Sequence, residues 1–395
     1  MSVEDSPARD PVGESSPVHL AVALDGTGWH PASWREPDAR PTDLLDAGYW
    51  ADLVTEAERG HLDFVTIEDA LTLQYEDPSH VDDRVDRVRG RLDAVLIASR
   101  VAPLTRHIGV LPTAVVTHTE PFHLSKAIAT LDYVSLGRAG VRVQVTASPE
   151  AARHFGRRDI TQTSPAELIT EAADYVEVLR RLWDSWEDDA EIRDVATGRF
   201  VDRTKLHYID FEGASFSVRG PSITPRPPQG QPVVAALSHG EATHSLIARS
   251  ADVGFVTPRD TAEVTAVVDA ISARARVEGR SVLVFADLVV VLDQSPARAQ
   301  ERRRRLDERA GSEFTSDAGI FTGTPAQLAD LIEAWHSAGA AGLRLRPATL
   351  PHDLTQITDG LVPELQRRRV FRGAYGATLR EILGLSRPAN RYTSV

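Results

Sequence analysis

Apolar positions along the chain alternate between two rhythms. Short, nearly continuous apolar runs recur at residues 18–26 (VHLAVALDG), 62–69 (LDFVTIED), 107–118 (HIGVLPTAVVTH), 139–147 (AGVRVQVTA), 233–238 (VVAALS), 252–257 (DVGFVT), 282–292 (VLVFADLVVVL) and 342–347 (GLRLRP). Their apolar content and length predict strands. Between them the spacing turns helical. Residues 46–60 and 91–105 read as helices, then Leu124, Ile128, Leu131 and Val134 form one stripe, and Ile169, Ala172, Val176, Leu179 and Trp183 another. Strands separated by helices pair in parallel, because parallel neighbours need a crossover. Eight such units predict an α/β fold, a (β/α)8 TIM barrel with insertions. An open doubly wound sheet is the competing architecture, but neither a G-x-G-x-x-G turn nor a G-x-x-x-x-G-K-[ST] loop follows any strand. Residues 186–231 interrupt the rhythm with a Pro/Gly-rich stretch, an excursion expected across one barrel end. The predicted organisation is a flexible tail over 1–17 and a single domain over 18–395.

Composition narrows the chemistry. With 42% hydrophobic residues, the 395-residue chain can fill a large core. It has no cysteine, which excludes disulfides, thiolate metal sites and cysteine nucleophiles. No apolar run approaches the roughly 18 residues of a membrane span, and the N-terminus lacks the basic-then-apolar order of a signal peptide. A cytoplasmic location is the expectation. A net charge of −13 argues against nucleic-acid or anionic-membrane partners. The one basic run, Arg302 to Arg305, reads as the solvated face of a charged helix.

In such a barrel, chemistry gathers at the C-terminal ends of the strands. Those ends carry Trp29 and His30, Asp69, Thr117 and His118, Thr146 and Ser148, Ser238 and His239, and Thr257 and Arg259. Asp69 has a plainer reading as a cap of the next segment. His118 and His123 are too loosely spaced for a helical metal pair, so no metal site is expected. Arg344 and Arg346 alternate with leucines, which would point both into the barrel, where a buried charge needs a partner. Spacing alone implies only a small-molecule enzyme.

Longer segments carry a resemblance. GWHPASWREPDA (28–39), AERGHLDFVTIEDAL (57–71), TRHIGVLPTAVVTHTEPFHLSKAIATLDYVSLGRAG (105–140), PEAARHFG (149–156), YVEVLRRLWDSWEDDA (175–190) and FEGASFSVRGP (211–221) are six of them. PRPPQGQPV (225–233), FTGTPAQLADLIEAW (321–335), LRPATLP (345–351) and TLREILGLSRPANRY (378–392) complete the set. In order and spacing they resemble the bacterial luciferase-like flavin-dependent monooxygenases, in the branch of the nitrilotriacetate, EDTA and dibenzothiophene-sulfone enzymes. The resemblance implies a barrel assembled as a homodimer or tetramer. It also implies FMN, taken as FMNH2 from a separate NAD(P)H-dependent flavin reductase, and oxygenation of a small organic molecule through a flavin hydroperoxide. Carried onto this chain, it makes His30 and His118 candidate catalytic residues. Asp69, Thr113, Val115, Thr117, Arg142, Thr146, Ser238 and His239 become candidate cofactor contacts.

The chain also departs from the family pattern. Thr-Ala-Ser-Thr-Thr-Tyr after the third strand is here Thr113-Ala114-Val115-Val116-Thr117-His118, and Trp-Asn-x-Val-Thr-Ser becomes Val141-Arg142-Val143-Gln144-Val145-Thr146. A cofactor-contacting His and Tyr align with Pro165 and Ile169. The phosphate turn Gln-Ala-Gly-x-Ser-x-x-Gly becomes Ala236-Leu237-Ser238-His239-Gly240-Glu241-Ala242-Thr243, which places an acidic group at a helix N-terminus suited to phosphate. Arg142 is the expected compensation, as a phosphate fork. These losses raise two alternatives: a degenerate member that binds flavin weakly or not at all and serves as a structural or regulatory partner, and a barrel repurposed for a deazaflavin. The pocket walls are expected from loops 72–90 and 186–231.

Overall fold

The computed structural model describes residues 17–75 and 81–393. Most of the expected tail, and residues 76–80 of the charged loop, lie outside the described residues. Eight parallel strands close a barrel: β1 His19–Leu24, β2 Phe64–Ile67, β3 Gly109–Val115, β4 Gly140–Gln144, β5 Val233–Ser238, β6 Val253–Val256, β7 Leu283–Leu292 and β8 Gly342–Pro347. Each pairs with the next, and β8 returns to β1. The crossover helices include α1 Ala47–Arg59, α2 Ala94–Val101, α3 Pro121–Val134, α4 Pro149–Phe155, α5 Pro165–Asp184, α6 Glu241–Ser250, α7 Thr261–Val277, α8 Pro296–Ala310 and α9 Pro325–Ser337. Among the described residues, no helix is long and apolar enough to cross a membrane.

Alternation within the strands divides the core. Leu20, Val22, Val65, Ile67, Val141, Leu343 and Leu345 face outward and pack against the helices in the main apolar cluster. The opposite faces supply Ala21, Phe64, Leu111, Val233, Ala235, Val253, Phe255 and Phe285, which fill the lower barrel with Leu379 and Leu383 from the C-terminal segment. Phe64, Phe255 and Phe285 are mutually in contact, with centroids 5.5–6.2 Å apart. Arg344 lies directly above this layer, its guanidinium carbon 4.0 Å from the Phe255 ring centroid. The barrel thus has an apolar lower half and a charged upper half.

One strand escaped the sequence reading. Gly319–Gly323 pairs with Leu288–Leu292 of β7, beyond the stretch Leu283–Ala286 that pairs with β6. Its pattern, GIFTG, is short and half-exposed. The segment 186–231 forms two small antiparallel hairpins, Glu191–Asp194 with Arg199–Val201 and Phe211–Glu212 with Ser217–Val218. It joins the end of α5 to the start of β5, so it belongs to the barrel end opposite the strand tips. The expectation that it walls the pocket fails for that reason.

The basic run on α8 is also corrected. Arg304 is exposed, but Arg302 is buried and donates to Asp353, 2.8 Å away, and to the Leu292 carbonyl. Arg305 and Arg309 turn to the buried Glu36 of the β1 loop. Three arginines outweigh burial and hold the Glu36 carboxyl below its usual range. The run therefore clamps the first loop to α8.

Candidate active site at the strand tips

Two adjoining cavities open at the C-terminal rim. The first, about 490 Å³, is walled on its apolar side by Val115, Val145, Ile169, Leu237 and Leu246. Asp69, Thr146 and His239 supply polar edges, and Arg142, Arg344, Arg346 and Glu68 the floor. The second, about 590 Å³, lies under the β1 loop, between Trp29, His30, Phe314 and Arg91. Trp29, Gln74, Tyr75, Arg91, His239 and Asp317 line both. Volumes of this size suit small-molecule ligands.

Strand alternation builds the floor. Thr66 and Glu68, Thr113 and Val115, Arg142 and Gln144, and Arg344 and Arg346 are pairs two residues apart, so each pair shares the inward face. Arg344 donates Nε to Asp287 at 2.8 Å and Nη1 to Thr66 at 3.2 Å and Glu68 at 3.3 Å. Arg346 donates to Asp287 at 2.9 Å and to Asp317 at 2.7 Å. The inward arginine face predicted from the Leu–Arg alternation therefore has its partners. Burial pushes the Asp287 carboxyl up, but Arg344 and Arg346 outweigh it and hold it below its usual range. Asp317 is brought down to about 2, Arg346 overcoming burial.

Five of the expected cofactor residues line the first cavity: Asp69, Val115, Arg142, Thr146 and His239. Asp69 also caps, accepting from the Ala70 and Ala94 N–H groups at 2.7 and 3.0 Å. Burial raises its pKa, partly offset by those two donors. Arg142 is not a free phosphate fork, since its Nε and Nη2 are engaged by Thr113, Glu68 and Gln144 and only Nη1 is left. Three expected residues do not reach the cavity. The Thr113 hydroxyl is fully buried under Arg142, and Thr117 accepts from the Thr146 N–H at 2.9 Å. Ser238 bonds Thr243 at 2.7 Å behind the turn.

The two candidate histidines also separate. His30 lines the second cavity, fully buried, with Nδ1 accepting from Ala32 N–H at 3.1 Å and Nε2 donating to Asp307 at 3.0 Å. Burial lowers its pKa despite Asp307, and both ring nitrogens are occupied. This geometry makes it a loop anchor. His118 lines neither cavity: its ring stacks on Phe155 at 5.2 Å, and burial lowers its pKa. Gly28 lets the same loop approach β8, because a Cβ there would sit 2.4 Å from the Ala348 carbonyl oxygen, at φ +124°.

The turn after β5 is more open to an anion than its sequence suggested. No side chain caps the N-terminus of α6. Glu241 is turned away, 2.8 Å from Arg274 of α7. Its first-turn N–H groups thus remain free of a carboxylate.

A luciferase-like monooxygenase family model matches residues 29–314. The chain belongs to the luciferase-like monooxygenase family. It is 31% identical to N-acetyl-S-(2-succino)cysteine monooxygenase of Bacillus subtilis (strain 168), over 95% of this chain and 98% of that one. It is 30% identical to nitrilotriacetate monooxygenase component A of Aminobacter aminovorans, over 96% and 99%. In fold it matches a riboflavin lyase solved with modified FMN and riboflavin, at TM-score 0.83 and 24% identity, covering 95% and 98%. As a flavin-dependent monooxygenase of this family, the protein needs room for a flavin ring. The first cavity has it: the aliphatic wall suits the face of a ring, and His239 and Thr243 bring the uncapped start of α6, which suits a phosphate, to its edge. The donor set fits the group.

Glu68, Gln144, Asp287 and Asp317 were missed. The first three carried a readable signal, a polar residue at an inward position of an apolar strand. Asp317 carried none, because it precedes the unpredicted strand.

Proposed function

We propose that the protein is the oxygenase of a two-component system. It binds FMNH2 supplied by a separate NAD(P)H-dependent reductase and oxygenates a small organic molecule. The observation that carries this reading is the pair of adjoining cavities at the strand tips, one with an aliphatic wall, sharing Trp29, Tyr75 and His239. A flavin ring in the first leaves the second for substrate. When bound, the flavin supplies the oxygen chemistry. The chain supplies everything else. Val115, Ile169 and Leu237 exclude water from one side, Asp69 and Thr146 offer edges for hydrogen bonds, and the α6 N-terminus offers N–H groups to the phosphate. Trp29, held through the His30–Asp307 pair and the Glu36 clamp, forms a wall common to both cavities. A remnant that had lost its flavin would be expected to have this space filled by side chains; the room beside Asp69 favours an active enzyme.

Exposed Leu96, Tyr133 and Val134 on α2 and α3, with Leu104 and Leu136 beside them, support self-association as a dimer or tetramer. The test of the function is an anaerobic titration with chemically reduced FMN, followed by protein fluorescence. Saturable binding in the micromolar range, lost in a Leu237→Trp variant that fills the cavity, is expected. No saturation at any flavin concentration overturns the reading.

A further inference from the structure

Three arginines form the cavity floor, and their hydrogen bonding is unequal. Arg344 uses Nε, Nη1 and Nη2 on Asp287, Thr66 and Glu68. Arg346 likewise uses all three nitrogens, on Asp287 and Asp317. Arg142 donates Nε to Thr113 at 2.9 Å and Nη2 to Glu68 and to Gln144 at 3.0 Å. Its Nη1 has no acceptor among the described residues. Yet Arg142 is only 3% exposed and lines the first cavity. A buried guanidinium is costly unless its charge and its donors are matched.

The immediate surroundings do not match it fully. Glu68, its one carboxylate, is divided between Arg142 and Arg344. Asp287 is committed to Arg344 and Arg346, and Asp317 to Arg346. Arg142 is thus the floor group left with a share of one anion and an unused donor. Burial draws its pKa down to about 10, with Glu68 opposing. It remains charged at neutral pH, and an anion in the cavity would relieve it.

We propose that Arg142 is the residue that makes this cavity prefer reduced flavin to oxidised flavin, by donating from Nη1 to the negative charge that the ring carries only when reduced. The phosphate, present in both redox states, is left to the α6 terminus, so Arg142 discriminates between states and does not merely add affinity. Glu68, Thr113 and Gln144 are its positioning residues: their three hydrogen bonds fix Nε and Nη2 and leave Nη1 for the ligand. This inference rests on the flavin reading above.

The test measures two dissociation constants, for oxidised FMN in air and for reduced FMN without oxygen. The proteins are the wild type, Arg142→Lys, Arg142→Met and the double variant Arg142→Met/Glu68→Gln. The double variant removes both charges of the pair, so a loss caused only by an orphaned carboxylate is separated from a loss of recognition. Circular dichroism confirms that each is folded. The wild type is expected to bind reduced FMN at least about tenfold more tightly than oxidised FMN. Both Met variants should lose about tenfold or more of that ratio, almost wholly from the reduced arm, while Arg142→Lys retains part of it. The midpoint potential of flavin bound to the wild type should lie above that of free FMN, and should fall back towards it in both Met variants. Unchanged ratios in the Met variants overturn the role of Arg142 and leave the flavin site standing. Failure of the wild type to bind either form overturns the flavin site, and this role with it.

Discussion

Replacing Asp287 by Asn probes the charged layer that separates the apolar lower barrel from the cavity. Asp287 is fully buried and accepts from Nε and Nη2 of both Arg344 and Arg346. Asparagine keeps the shape but removes the charge and turns an NH2 group toward guanidinium donors. Arg344 would then depend on Glu68, which it shares with Arg142, and Arg346 on Asp317 at the half-exposed rim. Breaking a buried pair in this way costs about 3–5 kcal/mol. Asp317→Asn is the internal control: it leaves Arg346 paired to Asp287, and its loss at the rim should cost about 1 kcal/mol or less. Urea unfolding of both variants beside the wild type measures the difference. The pH dependence has a definite sign. The Asp287 carboxyl is held below its usual value, so its contribution is present above the ordinary carboxylate pKa and is lost as pH falls through the depressed one. The gap between wild type and variant should persist from neutral pH to about pH 5 and close only in stronger acid. A cost under about 1 kcal/mol, or one no larger than that of Asp317→Asn, would refute the reasoning.

Other perturbations separate loop placement from pocket chemistry. His30→Ala should cost about 1–3 kcal/mol, because the Ala32 N–H and Asp307 both lose a partner, and thermal unfolding reads it. Activity of His30→Gln above one tenth of wild type would confirm that the imidazole anchors the loop and carries no proton. Gly28→Ala should displace the loop from β8 and weaken substrate saturation more than flavin binding, as steady-state kinetics would show. Burial raises the pKa of Asp132 to about 6, against donors from Gln229 and Ala139. A raised carboxyl contributes most below its unfolded value and loses that contribution as pH climbs to the folded one. Between about pH 4 and 6 the wild type should therefore lose up to about 3 kcal/mol relative to Asp132→Asn, measured as the difference in pH slope.

The barrel was legible because its strands are buried on both faces and its helices on one, two periods that sequence displays directly. The failures lie where period gives no guidance. The strand Gly319–Gly323 covers only the free half of an overlong neighbour, so nothing in its own five residues demands it. The excursion 186–231 was placed at the wrong end because composition does not tell a strand-to-helix connection from a helix-to-strand one; its position after α5 does. Arg302 looked solvated beside Arg303 and Arg304, but successive helical residues point about 100° apart, and only Arg302 meets Asp353. At the site, position along the strand was a poor guide and parity a good one. Thr113 and Arg142 face inward and touch each other, whereas Ser238, one residue beyond the inward Leu237, turns behind the turn. Glu68 was passed over for its neighbour Asp69, although Glu68 holds the floor arginines.

The central claim is that the strand tips enclose a flavin-sized space with an aliphatic wall and an arginine floor. A crystal structure of the protein soaked anaerobically with reduced FMN tests it most directly. The account predicts the ring against Val115, Ile169 and Leu237, within hydrogen-bond reach of Arg142, with the phosphate at the start of α6. Density for the flavin elsewhere, or a cavity that stays without it at saturating concentration, would contradict the account.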